Sequence, residues 1–453
     1  MANTYAYRTM DLTADGGYTS RFVFSAWVKR TKLSYSMAPL FSIHKDNSNT
    51  ASRINCYFDN NDNLLFEMKD SGGSDDSFYE TNRVFRDTNA WYHIYVAYNS
   101  ALSTAADRLQ IYVNGVRETS FSSANEVGSG FGALMSSSMD FRIGLMKNNS
   151  GTAYYFDGLM NSAIFTNYQS GTVDPVTDFG EVDSTTGEWK IKVTPSVTYA
   201  TQGVFVLKNS NSLTDQSGQS NNMTVGGTLT KTEDNPSNVF ATWNPLDNYF
   251  ANASFLNGNT TILNGANSAT NTSTLGMTTG KFYWECKVTQ QTQTQLWGIR
   301  SGMSTGTGNY LTETTTAGDI GYGLVRSSGN MGYPSGGSES YAGSQIVTND
   351  LLMFALDVDN NKFWIGKNGT WFASGNPSTG SNGYSITASP SGVWLVACNS
   401  FGGSNSTTYY NFGNGYFGTT AVSSAGTNAS GNGIFEYDTP TGYTALSTKG
   451  LNL

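Results

Sequence analysis

The sequence is poor in charge, and this scarcity limits the partners that the protein can have. Charged residues make up 13% of its 453 positions, about half of the ~25% usual in globular proteins. The net charge is −9, and no basic stripe of the kind that neutralises nucleic-acid phosphates is visible. We therefore expect no nucleic-acid partner.

Long apolar runs are also missing. The apolar run from Leu351 to Leu356 stops at Asp357, far short of the ~18 residues of a membrane helix, and its length suits a buried strand. Residues 1–4 lack the basic and then apolar pattern of a secretory signal. These features predict no membrane insertion and synthesis in a cytosol.

Cysteine and histidine, the usual ligands of structural metals, are scarce. Cys56, Cys286 and Cys398 are widely separated and have no CxxC spacing, which predicts reduced structural thiols. With only two histidines, His44 and His93, we expect no zinc site. His93 lies mid-strand beside an aromatic residue, where a packed, hydrogen-bonded role is expected.

Glycine and aromatic residues are abundant instead. Glycine occupies 50 positions, proline only 9, and aromatics make up 13% of the chain. Disordered chains carry far fewer aromatics, whereas turn-formers with aromatic and β-branched residues suit many short strands. Three hairpins can be recognised by alternating apolar residues beside a turn: Ile54–Phe58 with Leu64–Met68, Leu109–Val113 before Asn114-Gly115, and Phe363–Lys367 before Asn368-Gly369.

Strands with one apolar face must cover a second sheet, so the pattern predicts an all-β protein made of two β-sandwich, jelly-roll-like domains. The first strand-rich block covers residues 1–170. Residues 171–238 are less regular and form a connecting segment that partly completes the first domain. A second strand-rich block covers residues 239–453.

The first block resembles the laminin-G-like domain of the concanavalin-A-like sandwiches. The resemblance rests on five stretches in the family's order: Phe24–Lys29, Trp91–Tyr98, Leu109–Gly115, Phe141–Gly144 and Phe156–Phe165. Some laminin-G-like domains bind one calcium ion through loop oxygens, so the resemblance leaves a weak calcium site open. No other cofactor is expected.

The second block resembles the SPRY domain, another curved β-sandwich. The matching stretches are Gly280–Glu285, Trp297–Ile299, Gly318–Gly323, Asp350–Pro377, Asn411–Gly413 and Pro440–Tyr443. The order of these parts is similar to that in structural proteins of tailed phages, especially marine and cyanobacterial ones. It runs from the laminin-G-like block through Phe179–Trp189, Asp215–Asn221 and Phe240–Leu246 to the SPRY block.

Three stretches match parts of enzyme motifs but lack the structural context that the chemistry of each motif needs. Laminarinase-type glycosidases place carboxylates alternately on one strand, but here a turn separates Glu181 and Asp183 from Glu188. Gly302–Gly306 matches a nucleophile elbow, yet a loop follows it and no histidine lies downstream. Gly413–Gly418 matches the dinucleotide fingerprint without a βαβ unit. We therefore predict no enzyme and no catalytic residue.

A metal loop is also incomplete. Asp59–Asn63 begins like a calcium loop but lacks the glycine at its sixth position, and Asp70 replaces the glutamate at its twelfth. A tight turn between strands is the better interpretation, and we predict no metal ligand.

Binding surface remains as the functional feature. Rigid sandwiches carry recognition on their loops, and Tyr333, Tyr341 and Trp371 lie in Gly/Ser-rich or turn segments where their rings would stack on a sugar. The competing interpretation is that these rings pack under their own loops or in subunit contacts.

We predict a non-enzymatic protein on the exterior of a phage virion, as capsid decoration, fibre or tail-associated attachment protein. Its expected partners are other virion proteins and host-surface polysaccharide, and a homo-oligomer is compatible with the sequence. The alternatives are a free lectin or glycoside hydrolase of the concanavalin-A-like class, and a SPRY protein–protein adaptor.

Overall fold

The computed structural model describes residues 3–11, 20–45, 53–69, 75–131, 138–147, 152–168, 171–208, 210–265, 269–290, 295–302, 311, 318–333, 338–341, 345–400, 406–426, 428 and 430–452. The chain divides into two compact units, Met1–Lys231 and Thr232–Leu453, and each unit is a β-sandwich. Within the described ranges, no helix is both long and apolar enough to cross a membrane. The all-β prediction is confirmed.

Within the described residues, the first unit contains eighteen strands. They are β1 Tyr5–Met10, β2 Arg21–Arg30, β3 Met37–His44, β4 Arg53–Asp59, β5 Asn63–Lys69, β6 Asp75–Val84, β7 Trp91–Asn99, β8 Leu109–Val113, β9 Val116–Arg117, β10 Phe121–Asn125, β11 Met139–Ile143, β12 Leu145–Lys147, β13 Ala153–Tyr155, β14 Gly158–Asn167, β15 Gly180–Val182, β16 Trp189–Ile191, β17 Val204–Val206 and β18 Thr224–Gly226. Single 3-10 turns lie at Ala105–Asp107 and Val176–Asp178.

Two large antiparallel sheets enclose the core of this unit. One has the order β10-β6-β5-β4-β3-β11-β1-β18 and the other β17-β14-β2-β7-β8-β9. Alternate residues of their strands, such as Phe24, Phe41 and Phe66, meet between the sheets and are fully buried. The predicted turn at Asn114-Gly115 joins β8 to β9 with positive φ at both residues, as a type I′ turn requires.

The segment after residue 170 belongs to the first unit. Its strands β17 and β18 pair with β14 and β1, so each extends one of the two sheets. Val176, Phe179 and Tyr199 pack on the outer face of the six-stranded sheet against Tyr95 and Ile164. This segment therefore buries an apolar sheet face that would otherwise meet water.

The described part of the second unit also contains eighteen strands. They are β19 Trp243–Tyr249, β20 Ala253–Leu256, β21 Thr261–Asn264, β22 Ala269–Met277, β23 Lys281–Gln290, β24 Gln295–Ser301, β25 Gly321–Val325, β26 Asn330–Gly332, β27 Ser338–Ser340, β28 Leu351–Asp357, β29 Lys362–Lys367, β30 Thr370–Trp371, β31 Tyr384–Ser385, β32 Trp394–Ser400, β33 Ser406–Asn411, β34 Tyr416–Phe417, β35 Thr420–Ala421 and β36 Thr444–Ala445. The 3-10 turns are Phe372–Ser374, Pro377–Thr379 and Gly450–Asn452.

A seven-stranded sheet, β19-β22-β32-β24-β25-β26-β27, faces a nine-stranded sheet built on β20-β21-β33-β23-β28-β29-β30. In the nine-stranded sheet β31 pairs with β29, and β36 pairs with β23 in parallel. Trp284, Trp297 and Phe354 fill the space between the sheets. All three cysteines of the chain are buried free thiols, as their spacing predicted.

Candidate functional site

His93 and Ser25 form a pair that resembles a nucleophile and its base. Ser25 Oγ lies 2.8 Å from His93 Nε2, and both residues are buried. On the other side of the ring, Trp189 Nε1 donates to His93 Nδ1 at 3.0 Å. An indole N–H only donates, and burial lowers the pKa of His93 to about 3, so the neutral ring carries its proton on Nε2. His93 therefore donates to Ser25 and is unable to take its proton.

The carboxylates of the glycosidase-like stretch are separated by a turn, as expected. Glu181 lies on β15, and Asp183 closes the turn by accepting the N–H groups of Thr185 and Thr186 at 2.8 and 3.0 Å. These N–H groups and Lys190 hold the pKa of Asp183 down at about 2. A general acid needs a raised pKa, so Asp183 is not suited to that role.

The calcium-like stretch forms a turn between β4 and β5 whose carboxylates are used within the protein. Asp59 Oδ1 accepts the N–H groups of Asn61 and Asn63 at 3.0 and 2.8 Å. Asp62 Oδ1 accepts from Arg30 at 2.9 Å. Within the described part of the chain, no group of three or more His, Cys, Asp or Glu side chains is placed to hold a metal ion.

Two other motifs have structural partners. In the Gly413–Gly418 stretch, the N–H groups of Gly413 and Gly415 donate to Asn411 Oδ1 at 2.9 and 3.1 Å, so these amides already have an acceptor. Asp215 of the 215–221 segment accepts the N–H groups of Phe205 and Asn221, both at 2.8 Å, and these hydrogen bonds fix the segment to β17. The elbow-like stretch at 302–306 lies outside the described residues from 303 onward.

One buried carboxylate, Glu285 of β23, is surrounded by donors. It accepts the backbone N–H groups of Glu436 and Tyr437, both at 2.9 Å, and the Tyr283 hydroxyl at 2.8 Å. Burial raises the pKa of Glu285 to about 7. Two of these donors are backbone N–H groups of residues 436 and 437, so Glu285 fixes the segment after residue 430 to the sheet.

The surface with the features of a binding site is a tyrosine cluster at the edge of the second unit. It consists of Tyr322, Tyr333, Tyr341 and Tyr384. Tyr384 of β31 is central, with its ring 5.8 Å from that of Tyr322 and 5.8 Å from that of Tyr333. Strands of both sheets supply the cluster, since β25 to β27 form one edge and β31 pairs with β29 of the other sheet.

The two inner members of the tyrosine cluster fix its shape. Tyr341 is 8% exposed, donates its hydroxyl to the Phe363 carbonyl at 3.1 Å and meets Phe372 edge-on at 5.8 Å. The Tyr322 hydroxyl accepts the N–H of Thr387 at 2.9 Å. These hydrogen bonds and ring contacts fix the orientation of the two inner rings of the tyrosine cluster.

The two outer members are partly exposed and also pack against the core of the second unit. Tyr333 and Tyr384 are half-buried, and the exposed residues Ser338, Glu339 and Ser340 of β27 lie beside them. Partial burial and the Glu339 carboxylate raise the pKa of Tyr384, so its hydroxyl stays protonated at neutral pH. The surface thus offers two aromatic rings, hydroxyl donors and a carboxylate acceptor.

Of the predicted binding residues, Tyr333 and Tyr341 come together and Trp371 lies elsewhere. Trp371 of β30 packs on the outer face of the nine-stranded sheet, with its ring 6.3 Å from that of Tyr283. The next residue, Phe372, points to the opposite face and packs against Tyr341. Residues 334–337, between Tyr333 and β27, lie outside the described residues. The binding role of the three residues stays a prediction.

Sequence reasoning missed Tyr384, the centre of the tyrosine cluster. It stands alone in a Gly/Ser-rich stretch, Gly383-Tyr384-Ser385, without the alternation that marks a strand. Its only signal was a bulky aromatic residue among turn-formers, and pairing with β29 decides its position.

Comparison with known families agrees with the first resemblance. Residues 3–169 match the family model Laminin_G_3, described as the concanavalin A-like lectin/glucanases superfamily. This stretch is similar to that superfamily. A comparison with curated protein sequences gave no match.

Three solved structures are among those similar to parts of this chain. The SPRY domain of human HERC1 is 12% identical over 37% of this chain and 96% of its own, with a TM-score of 0.28. The TRIM65 PSpry domain is 11% identical over 38% of this chain and 91% of its own, with a TM-score of 0.28. The native heptameric SAP-like pentraxin from Limulus polyphemus is 13% identical over 36% of this chain and 70% of its own, with a TM-score of 0.26.

Proposed function

We propose that this chain is a non-enzymatic binding protein on the exterior of a phage particle, which attaches the particle to host-surface polysaccharide through the tyrosine cluster. The observation that carries the proposal is the pair of half-exposed rings of Tyr333 and Tyr384 beside Glu339. A ring face packs on the apolar C–H face of a sugar, and carboxylate and hydroxyl groups bond its hydroxyls.

The rigidity of the tyrosine cluster supports this function. The hydroxyls of Tyr341 and Tyr322 form hydrogen bonds with the backbone of Phe363 and Thr387. The two inner rings are therefore held in place before a ligand binds to the outer rings. Preorganisation of this kind lowers the entropy lost on binding. Residues 3–169, which lie in the other unit, match a superfamily whose name joins lectins and glucanases. That match supports carbohydrate as a ligand of the first unit, and the tyrosine cluster is argued from its own geometry.

Two features of the first unit support binding without catalysis. The proton of His93 lies on the nitrogen that faces Ser25, and the pKa of Asp183 is lowered where a glycosidase acid needs it raised. Virion location, contacts with other virion proteins and self-association are parts of the same proposal. They rest on the order of segments that resembles tailed-phage structural proteins.

The test is binding of the full chain to an array of host-surface polysaccharides. We expect Tyr333→Ala with Tyr384→Ala to weaken binding at least about tenfold, as loss of central aromatic contacts does. Tyr249→Ala is the matched control, because Tyr249 is a half-buried tyrosine of the same unit that packs on Phe250. Equal binding by all variants would remove the tyrosine cluster from the proposal.

Two further measurements address the remaining parts of the proposal. Release of reducing ends from the same polysaccharides would show a glycoside hydrolase instead if it is abolished by Glu181→Gln, or by Asp157→Asn between β13 and β14. Mass spectrometry of purified virions should detect this chain, and its absence together with capture of one defined peptide partner would favour an adaptor.

A further inference from the structure

Glu339 is a charged side chain on the inner face of an edge strand. It lies on β27, the edge strand of the seven-stranded sheet, directly opposite Met331 of β26. Directly opposed residues of an antiparallel pair project from the same face of the sheet, and Met331 belongs to the core between the sheets. Glu339 therefore projects toward the other sheet of the sandwich, and it is exposed to solvent there.

The tyrosine cluster lies at the same edge of the sandwich. Tyr333 and Tyr341 each follow an inward-facing residue by two positions and pack with the core between the sheets. Tyr384 of β31 lies opposite the core residue Phe363, so it projects inward from the other sheet. Burial raises the pKa of Tyr384, and the carboxylate of Glu339 raises it further. The edge between β27 and β31 is therefore lined by aromatic rings and one carboxylate.

The carboxylate of Glu339 has no counter-charge in the part of the chain that the structure describes, where it forms neither an ion pair nor a hydrogen bond. Lys362 donates to Ser385 Oγ at 2.7 Å on the opposite face of β29, because its neighbour in the chain belongs to the core. Arg326 follows β25, two strands away from β27. The sequence has no lysine or arginine in the stretches that carry Glu339 and the four tyrosines, which are 301–325, 327–361 and 368–448.

We propose that the tyrosine cluster and Glu339 bind an organic ammonium group carried by the polysaccharide. An ammonium group is attracted to the faces of aromatic rings, and it pairs with a carboxylate more strongly than a neutral hydroxyl does. The rings of Tyr333 and Tyr384 are inclined to each other by 36°. A sugar face can lie parallel to only one of two such rings, whereas a compact ammonium group can contact both. An anionic ligand would be repelled by Glu339.

This inference rests on the proposed function, because it names the chemical group that the same site recognises. The ammonium group comes from one of two sources, the free amine of an amino sugar or a choline substituent on a sugar. The competing interpretation of Glu339 is protection of the sheet edge, since charged residues that point inward from an edge strand prevent two edges from pairing. The two experiments below separate these cases.

The first experiment uses calorimetry on the full chain to compare two pairs of ligands that differ mainly in charge. Choline is paired with its uncharged analogue, in which a carbon atom replaces the nitrogen. D-glucosamine, with its amine protonated, is paired with N-acetyl-D-glucosamine. We expect the cation of at least one pair to bind at least about tenfold more tightly than its partner, and that pair identifies the source. Equal affinity within both pairs would overturn the inference.

The second experiment uses Glu339→Gln, which removes the charge of an exposed side chain at nearly constant size. Affinity for the cation should fall at least about fivefold, while affinity for the uncharged member of the pair stays the same. The control is Glu188→Gln, which removes the same charge from an exposed glutamate of the first unit and should leave both affinities unchanged. Normal cation binding by Glu339→Gln, together with increased self-association, would show edge protection alone and refute the inference.

The outcomes also separate this inference from the proposed function. If neutral polysaccharides bind through Tyr333 and Tyr384 and neither cation is preferred, the inference fails and the proposed function stands. If the cations bind in a way that depends on Glu339 and the two tyrosines, but no host-surface polysaccharide binds, the proposed function fails and the ammonium site stands.

Discussion

Removal of the Asp62 carboxylate should destabilise the first unit strongly. Asp62 Oδ1 accepts from Arg30 Nη2 at 2.9 Å and from the N–H of Ser34 at 2.7 Å, and Oδ2 accepts from Arg86 Nε at 3.1 Å. Both side chains of the Asp62–Arg30 pair are only 1% exposed. Asp62→Ala leaves the Arg30 guanidinium buried without its counter-charge, because Arg30 remains protonated at any pH of interest.

Loss of one partner of a buried ion pair costs about 3–5 kcal/mol. For a unit of this size, each kcal/mol lowers the melting temperature by about 2–4 °C, so we expect a fall of about 6–20 °C for the first unit. Calorimetry and urea unfolding of the full chain measure it. Replacement of both partners, Arg30→Met with Asp62→Leu, should recover most of the loss because no buried charge remains.

The control is a surface ion pair of the same unit. Arg117 Nη2 lies 2.9 Å from Asp107 Oδ1, with side chains 36% and 39% exposed. Asp107→Ala should cost less than about 1 kcal/mol because water screens the pair. A loss below about 1 kcal/mol for Asp62→Ala, or equal losses for the two variants, would refute the assignment of Asp62 as the buried counter-charge.

Three further predictions concern Glu285, Gly180 and Asp215. Burial raises the pKa of Glu285 from 4.5 to about 7, so the free energy of unfolding should fall as pH rises through this interval. The Glu285→Gln protein should lack this fall. Equal pH dependence of the two proteins would contradict the prediction. Gly180→Ala places a methyl group 2.4 Å from the Trp189 ring. We expect altered tryptophan fluorescence and a free energy of unfolding lower by about 1–3 kcal/mol. An unchanged fluorescence spectrum would argue against the contact. Asp215→Asn should lower the free energy of unfolding by about 1–3 kcal/mol and make its loop more sensitive to limited proteolysis. An unchanged cleavage rate would show that the hydrogen bonds of Asp215 do not hold this loop.

Local patterns were sufficient for much of the fold. Alternation fixed β4, β5 and β8, because a strand with one buried face needs an apolar residue at every second position. Asn-Gly pairs located the turns after β8 and β29, because both turn residues adopt positive φ. In these hairpins the chemistry of a few neighbouring residues decides the local structure.

Pairing between strands that are far apart in the chain could not be predicted from the sequence. The strands β17 and β18 complete sheets whose other strands lie far away in the chain, and nothing in the composition of residues 171–231 gives that pairing. The tautomer of His93 depends on Trp189, ninety-six positions later. Only a packed structure supplies such a partner.

The sequence by itself determined that this protein is built from strands with aromatic cores, because periodicity and turn chemistry are properties of neighbouring residues. The tertiary structure alone decided that Tyr333 and Tyr341 meet around Tyr384 while Trp371 lies on another face. Sheet order and register, which set these distances, depend on contacts between residues far apart in the chain.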